Sequence, residues 1–330
     1  MAHISVTKHH GLGNDFLVLL CLDEDTVTPS LETGARLARE LCDRHRGIGA
    51  DGLLLASLPS ARVGRRVHPD RPVFNDQGIL SDREGDGEAS GIVDAHADVD
   101  VVMRLHNADG SVAEMSGNGI RCFAQAIVDS GFCGPGILRV LTGGGLRVVG
   151  VDASDPTGLA MVRVDMGVAK VDSFEVPTAV SKIVGTRRVT TVDVGNPHIV
   201  IEGDPGSIDI SVFGPAVEAH FVEQFGGINV EVVSAADDAN VTMVVWERGV
   251  GITQACGTGA TATAIATHRW GLTGPATAVH QPGGTSVVEL RGEEITLIGP
   301  SQFVAACTAY VDDDLWPPRH EVAAKRGEQP

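Results

Sequence analysis

The sequence is short of positive charge: its 330 residues carry 25 Lys and Arg against 43 Asp and Glu, a formal net charge of −18. That balance excludes the broad basic face that a nucleic-acid or anionic-membrane partner requires. It does not exclude a small acidic substrate, because a few buried arginines can hold carboxylates inside an acidic protein. Paired cysteine spacings are missing as well. Cys21, Cys42, Cys122, Cys133, Cys256 and Cys307 form no CxxC pair and no Cys/His cluster, so neither a metal site nor a disulfide framework is expected. The apolar run FLVLLCL at 16–22 is too short to cross a bilayer and has no cleavage site after it; it reads as a buried strand, and the expected compartment is the cytoplasm. No lysine stands in a pattern that suggests a Schiff base, so pyridoxal phosphate chemistry is not expected.

What the chain does have is an internal repeat. AEMSGNGIRCFAQAIVDSG at 113–131 is echoed by TQACGTGATATAIATHRWG at 253–271. At a constant offset of 140 residues, Ser116 falls on Cys256, Gly117 on Gly257, Gly119 on Gly259, Ala124 on Ala264 and Gly134-Pro135 on Gly274-Pro275. Glycines and a proline that recur in register mark backbone positions with the same dihedral demands. The repeat therefore predicts two copies of one unit, each a polar turn that opens a helix, with the two helix heads facing each other to form the site. A chain of this length, 43% hydrophobic, suits two domains that each bury a core.

In order, HISVTKHHGLGNDFLVLLCLD predicts strand, tight loop, strand. LETGARLARELCDRHRG at 31–47 predicts a helix stopped by Gly47, and ADGLLLASL a further strand. A second echo, GNDFLVL at 13–19 against GNPHIVI at 195–201, has an offset of 182, so the first half carries extra chain before residue 100. Residues 57–98, rich in Pro, Gly, Asp and Arg, are the place for it and read as a surface insertion. Its carboxylates Asp82, Glu84, Asp86 and Glu88 do not have EF-hand spacing. A strand and polar turn over 100–115 lead into the first helix at 116–130, and antiparallel strands follow. The second half repeats the plan with a helical pattern near 212–225 and the second helix at 256–270. FVAACTAYVD at 303–312 reads as one more strand that returns to the first domain. The expected domains are 1–158 and 159–302, with a frayed tail over 313–330.

A helix head offers unpaired N–H groups and the positive end of the dipole, and small residues let an anion approach it. Gly117-Asn118 and Gly257-Thr258 both fit, so two converging heads would hold one carboxylate between them. Ser116 and Cys256 would then flank the carbon attached to that carboxylate. A cysteine at a helix head is expected to have a lowered pKa, which suits a thiolate base. Asn14, Asn107, Asn196 and Asn229 each enter or follow a turn, where asparagine is common for backbone reasons alone.

Five ordered stretches, HGLGNDF, NADGSVAEMSGNGIRC, GNPH, GINVEV and ERGVGITQACGTGA, resemble the diaminopimelate epimerases. The resemblance runs from residue 8 to about 310, interrupted by 57–98. It implies an α/β fold of two pseudo-symmetric domains, each a barrel-like, mainly antiparallel sheet around a central helix, with the site at the interface. It implies cofactor-independent interconversion of LL- and meso-diaminopimelate in lysine and peptidoglycan-precursor synthesis, by a homodimer. Two residues at the helix heads would act from opposite faces of the α-carbon. Cys256 matches one. The side-chain amides of Asn14, Asn107, Asn196 and Asn229 would contact substrate, as would the backbone of Gly117, Asn118, Gly257 and Thr258. Arg248 would take the distal carboxylate and Glu247 the distal ammonium, with His198 and Glu247 tuning the ionisation of the thiols.

The departure is Ser116, which stands where the family pattern has its other cysteine. A serine hydroxyl is a far weaker acid than a thiol, and nothing beside it in the motif is a base. Cys122 does not replace it, lying six residues further into the helix, roughly 9 Å along the axis. Slow or one-directional epimerisation, a related chemistry and a deliberate replacement of the cysteine are the readings open at this point. The similar proline-racemase group, with Ser/Cys epimerases and Thr-containing dehydratases, illustrates the second. A cofactor-independent racemase, epimerase or dehydratase on another amino acid, or a catalytically silent amino-acid binder, are the alternative functions.

Overall fold

The structure is a computed structural model that describes residues 2–22, 28–59 and 99–316. All but residues 57–59 of the expected 57–98 insertion, including Asp82, Glu84, Asp86 and Glu88, lie outside the described residues, as does the tail from residue 317. The tail's first residues are not frayed: Leu315 is buried, and Asp314 pairs with Arg36 at 2.9 Å.

The first half comprises β1 (Ala2–Gly11), β2 (Asn14–Cys21), α1 (Leu31–Leu41), β3 (Gly52–Ser57), β4 (Val101–Asn107), β5 (Val112–Ala113), α2 (Gly117–Asp129), β6 (Gly136–Thr142), β7 (Gly145–Val151) and β8 (Leu159–Asp165). The second comprises β9 (Lys170–Val171), α3 (Thr178–Val184), β10 (Val189–Asp193), β11 (Pro197–Glu202), α4 (Ile210–Glu218), α5 (Val222–Phe225), β12 (Asn229–Ala235), β13 (Asn240–Glu247) and β14 (Gly251–Ile252). It continues with α6 (Gly257–Arg269), β15 (Ala276–Gln281), β16 (Gly284–Arg291) and β17 (Glu294–Val311).

Strand pairing forms two barrel-like sheets, of which the first closes on itself. In the first, β1, β2, β3, β4, β6, β7, β8 and β17 follow one another until β17 meets β1 again. The second runs from β9 through β10, β11, β12, β13, β15 and β16 to β17, which lies against β8. Pairing is mostly antiparallel, with parallel pairs at the same places in each half: β2–β3 and β4–β6, then β11–β12 and β13–β15. The two barrels share a crossing. β8 and β17 run antiparallel from Asp165 opposite Thr296 to Leu159 opposite Gln302, and β17 then continues along β1 to Val311 opposite Ala2. FVAACTAYVD, read from the sequence as one more strand, is thus the latter part of β17, which is continuous because each end has a different barrel to complete.

Each barrel is filled by a helix. Residues 117–127 of α2 and 257–267 of α6 are all buried, with the polar Asn118, Arg121 and Gln125 and four threonines among them, so these helices are enclosed on every side. In α6 the Thr261 and Thr267 hydroxyls donate to the Gly257 and Thr263 carbonyls, which satisfies them inside the core. The continuous apolar run of β2 has the same cause. Phe16 and Val18 face α2, while Leu17 and Leu19 pack beneath α1 with Leu37 and Leu41. α1 is capped by Ser30 and ends at Leu41, six residues before the expected stop at Gly47. Gly47 folds back on the helix end instead, where a Cβ would sit 2.3 Å from the Glu40 carbonyl oxygen. α3 and β15 are absent from the sequence reading; α3 helps Phe174, Phe221 and Phe225 cover the outside of β11 and β12.

Candidate active site at two opposed helix heads

α2 and α6 begin immediately after Ser116 and Cys256, and these two residues cap them alike. Both have extended dihedrals, φ −135° and ψ 124° for Ser116, φ −125° and ψ 116° for Cys256. The Gly119 amide donates to Ser116 Oγ at 3.0 Å, and the Gly259 amide to Cys256 Sγ at 3.3 Å. Between the caps the helices touch backbone to backbone. A Cβ on Gly117 would lie 3.0 Å from the Gly257 Cα, and one on Gly257 would lie 2.9 Å from the Gly117 Cα. Neither glycine has a positive φ; closeness alone requires them. Two amide-rich, positive helix ends are thereby brought together at the barrels' junction. Gly257→Ala is expected to destabilise the fold by about 1–3 kcal/mol, since only backbone and Leu297 stand in the way of the methyl. Urea unfolding checks this; an unchanged midpoint would mean that the heads part freely.

Cys256 is 5% exposed and sits in a polar, acidic surround. Its N–H donates to Gln281 Oε1 at 2.7 Å, and its Sγ lies 3.4 Å from Thr258 Oγ1. From there a chain of contacts leads to a buried His–Glu pair. Asn196 Nδ2 donates to Thr258 Oγ1 at 3.4 Å, Asn196 Oδ1 is 3.0 Å from His198 Nε2, and His198 Nδ1 is 2.6 Å from Glu231 Oε1. His198 and Glu231 are both fully buried. The lowered thiol pKa expected at a helix head is not found. Burial first, then the charges of Glu247 and Glu231, push the Cys256 thiol well above its ordinary range. The Thr258 hydroxyl and the Gly259 amide pull the other way with less effect. Burial also raises the Glu247 carboxyl, against hydrogen bonds with the Thr253 hydroxyl and the Cys256 thiol. Two groups that each resist ionisation therefore hold a thiol at rest. Glu247→Gln removes one of the charges that raise the thiol, so its pKa falls. Iodoacetamide is expected to modify Cys256 faster at a fixed pH below that pKa, because the thiolate is the reacting form. An unchanged or slower rate would show that Glu247 does not act on the sulfur.

Among the described residues, Ser116 has no such surround. The matching parallel pairs set Phe16 opposite Gly52 and His198 opposite Asn229, so Phe16 and Leu54 occupy the places of His198 and Glu231. A Cβ on Gly259 would meet Glu231 Oε1 at 2.8 Å, whereas one on Gly119 would meet the Phe16 ring at 3.4 Å. The two heads match in backbone and differ in chemistry.

The remaining sequence-predicted residues fall into three groups. Asn118 joins the halves: its Nδ2 donates to the Ala255 carbonyl at 2.8 Å and to Asn14 Oδ1 at 3.3 Å, while Asn14 Nδ2 donates to Asp51 Oδ2 at 2.6 Å. Asn229 and Arg248 adjoin, the Arg248 N–H donating to Asn229 Oδ1 at 3.0 Å; the exposed Arg248 side chain reaches the Phe225 carbonyl at 3.2 Å. Asn107 turns onto its own loop, donating to Ser111 Oγ at 3.0 Å. Sequence reading missed Glu231, Gln281, Thr253 and Asp51. Only Glu231 left a signal, as the single charge within the apolar strand NVEVV. Among the described residues, no group of three or more His, Cys, Asp or Glu is placed to hold a metal.

A family model described as diaminopimelate epimerase matches residues 78–171 and 190–304. The diaminopimelate epimerase of Desulfitobacterium hafniense is 35% identical over 319 residues, covering 91% of this chain and 96% of that one. That of Pelotomaculum thermopropionicum is 34% identical over 312 residues, covering 90% and 96%. In fold, the chain is similar to a hydroxyproline epimerase from Agrobacterium vitis (TM-score 0.60, 14% identity, 97% and 98% covered). It is similar also to a phenazine biosynthesis protein from Bacillus anthracis (TM-score 0.62, 12% identity, 94% and 100% covered). With a family model that matches most of the chain and about a third of aligned positions in common with such relatives over nine-tenths of it, the chain belongs to the diaminopimelate epimerase family of isomerases.

Proposed function

We propose that the protein interconverts LL- and meso-diaminopimelate at one α-carbon without a cofactor, with Cys256 as the acid/base and Ser116 at the opposing position. The backbone contact of Gly117 with Gly257 carries this reading, because it puts two anion-binding helix heads and their capping side chains at one junction. In this scheme the amides of Gly117-Asn118 and Gly257-Thr258 hold the reacting carboxylate. Asn14, Asn107, Asn196 and Asn229 orient the amino-acid groups, Arg248 takes the distal carboxylate and Glu247 the distal ammonium. The substrate's ammonium groups offset the carboxylates that keep Cys256 protonated, so the thiolate forms with substrate present. Cys256 then removes or returns the α-proton on its face, and the helix dipoles stabilise the carbanion between.

Among the described residues Ser116 has no base near it, so return of the proton from the Cys256 face outruns delivery from the other. Incubated in D2O with LL- and, separately, meso-diaminopimelate, the protein is expected to exchange the α-proton of one isomer with retention faster than it inverts it. No exchange with either isomer, in the protein or in Ser116→Cys, would end the epimerase reading. The inert surround of Ser116 favours a second reading, a binder without turnover; stereospecific binding with no exchange would establish it. We assign the enzyme to the cytoplasm and to lysine and peptidoglycan-precursor synthesis, as a homodimer. Exposed Val304 and Tyr310 on β17 offer apolar surface of the kind a second copy covers.

A further inference from the structure

Arg121, one turn inside α2, is fully buried, and no carboxylate of the described residues pairs with it. Its guanidinium is spent on neutral oxygens. Nη1 donates to the Gly117 carbonyl at 3.1 Å, Nη2 to Asn118 Oδ1 at 2.7 Å and Nε to the Pro300 carbonyl at 3.3 Å. The fold makes room for it with glycines: a Cβ would come within 3.1 Å of Nη2 at Gly11 and within 3.2 Å of Nε and Cζ at Gly299. Burial lowers the guanidinium to about 10, and the neighbouring Cys122 sulfur acts the other way with less effect. An isolated buried cation is costly. The matching position in the other half, offset by 140 residues, is Thr261, so the charge is a property of one head only.

The position of that charge gives it a use. Gly117 and Asn118, the residues Arg121 holds, are the first two of the α2 head, and Asn118 continues across the junction to the carbonyl of Ala255, next to Cys256. We infer that Arg121 is a positioning residue that supplies the fixed positive counter-charge for the substrate's reacting carboxylate, acting through Gly117 and Asn118 without touching it. The inference rests on the proposed function. It explains how a site bordered by Glu247 and Glu231 accepts an anion at all, and why the charge belongs to the head that lacks buried acids.

A cycle in which protein and ligand charge are removed separately tests it. Binding of LL-diaminopimelate and of its diamide is measured calorimetrically for the native protein, Arg121→Gln, Arg121→Lys and Asn118→Asp, with Arg248→Gln alongside to account for the distal end. Arg121→Gln is expected to weaken the dicarboxylate at least thirtyfold and the diamide less than threefold, with partial rescue by lysine. A merely structural arginine would lower both affinities equally, and that result overturns the inference, as does unchanged dicarboxylate binding. If Arg121→Gln does not fold, Asn118→Asp carries the test. It puts a carboxylate 2.7 Å from Nη2 and neutralises the charge in place, with the same selective loss expected and equal losses overturning the inference. A native protein that exchanges α-protons in D2O but shows equal losses keeps the proposed function and loses Arg121; one that neither binds nor exchanges loses both.

Discussion

Replacing Cys256 with alanine is expected to lower the α-proton exchange rate of the proposed substrate, diaminopimelate, by about a thousandfold, within the range that a single general acid/base supplies. The expectation follows from asymmetry. Among the described residues, the groups that can move a proton at the junction (Cys256, Glu247, and the His198–Glu231 pair) stand on the α6 side. The Ser116 side offers a hydroxyl and the Phe16 ring. Removing the sulfur therefore removes, among the described residues, the proton carrier that caps the α6 head. Alanine also deletes the cap on Gly259, at a cost of about 1 kcal/mol. Cys256→Ser controls for that, because Ser116 shows that an oxygen caps this geometry, and the serine variant should recover stability without recovering exchange. NMR in D2O reads the rate and urea unfolding the stability. Exchange that survives in both variants would place the base elsewhere.

Ser116→Cys acts in the opposite sense, raising the rate of inversion by about a hundredfold or more. The backbone is already that of a cysteine-capped head, with φ and ψ within about ten degrees of those at Cys256, so the substitution asks for no rearrangement. Its thiol would lie at a helix head without the acids that raise Cys256. Two thiols in unlike surroundings are driven towards unlike ionisation, which gives one base and one acid across the α-carbon. The gain should appear in inversion, followed by the optical change from LL to meso, more than in exchange with retention. Equal gains in both would show that Ser116 faces the same side of the substrate as Cys256.

The sequence went far because duplication makes two weak signals test each other. A single Gly-rich helix start is a common cap, but Gly117-Asn118-Gly119 and Gly257-Thr258-Gly259 in register specified two buried helices and their capping residues. Apolar β-branched runs with turn residues between them placed most strands, and the second echo located the extra chain in the first half. α3 escaped because its seven residues are too few for a helical period, and β15 because ATAVHQ lacks a continuous apolar run.

Local chemistry could not settle what neighbours from elsewhere in the chain do to it. A helix head lowers a thiol's pKa, and that much is written in residues 256–259. Whether the effect prevails depends on Glu247 from β13, Glu231 from β12 and the closeness of packing, and these reverse it. In the same way Asn118 reads as a helix-head residue, while its bond to Ala255 exists only because the two barrels meet. The chain alone determined the two heads, their caps and the family. Tertiary structure decided which head is acidic and which is not, because desolvation and Coulomb interactions act through space, between residues that the sequence keeps far apart.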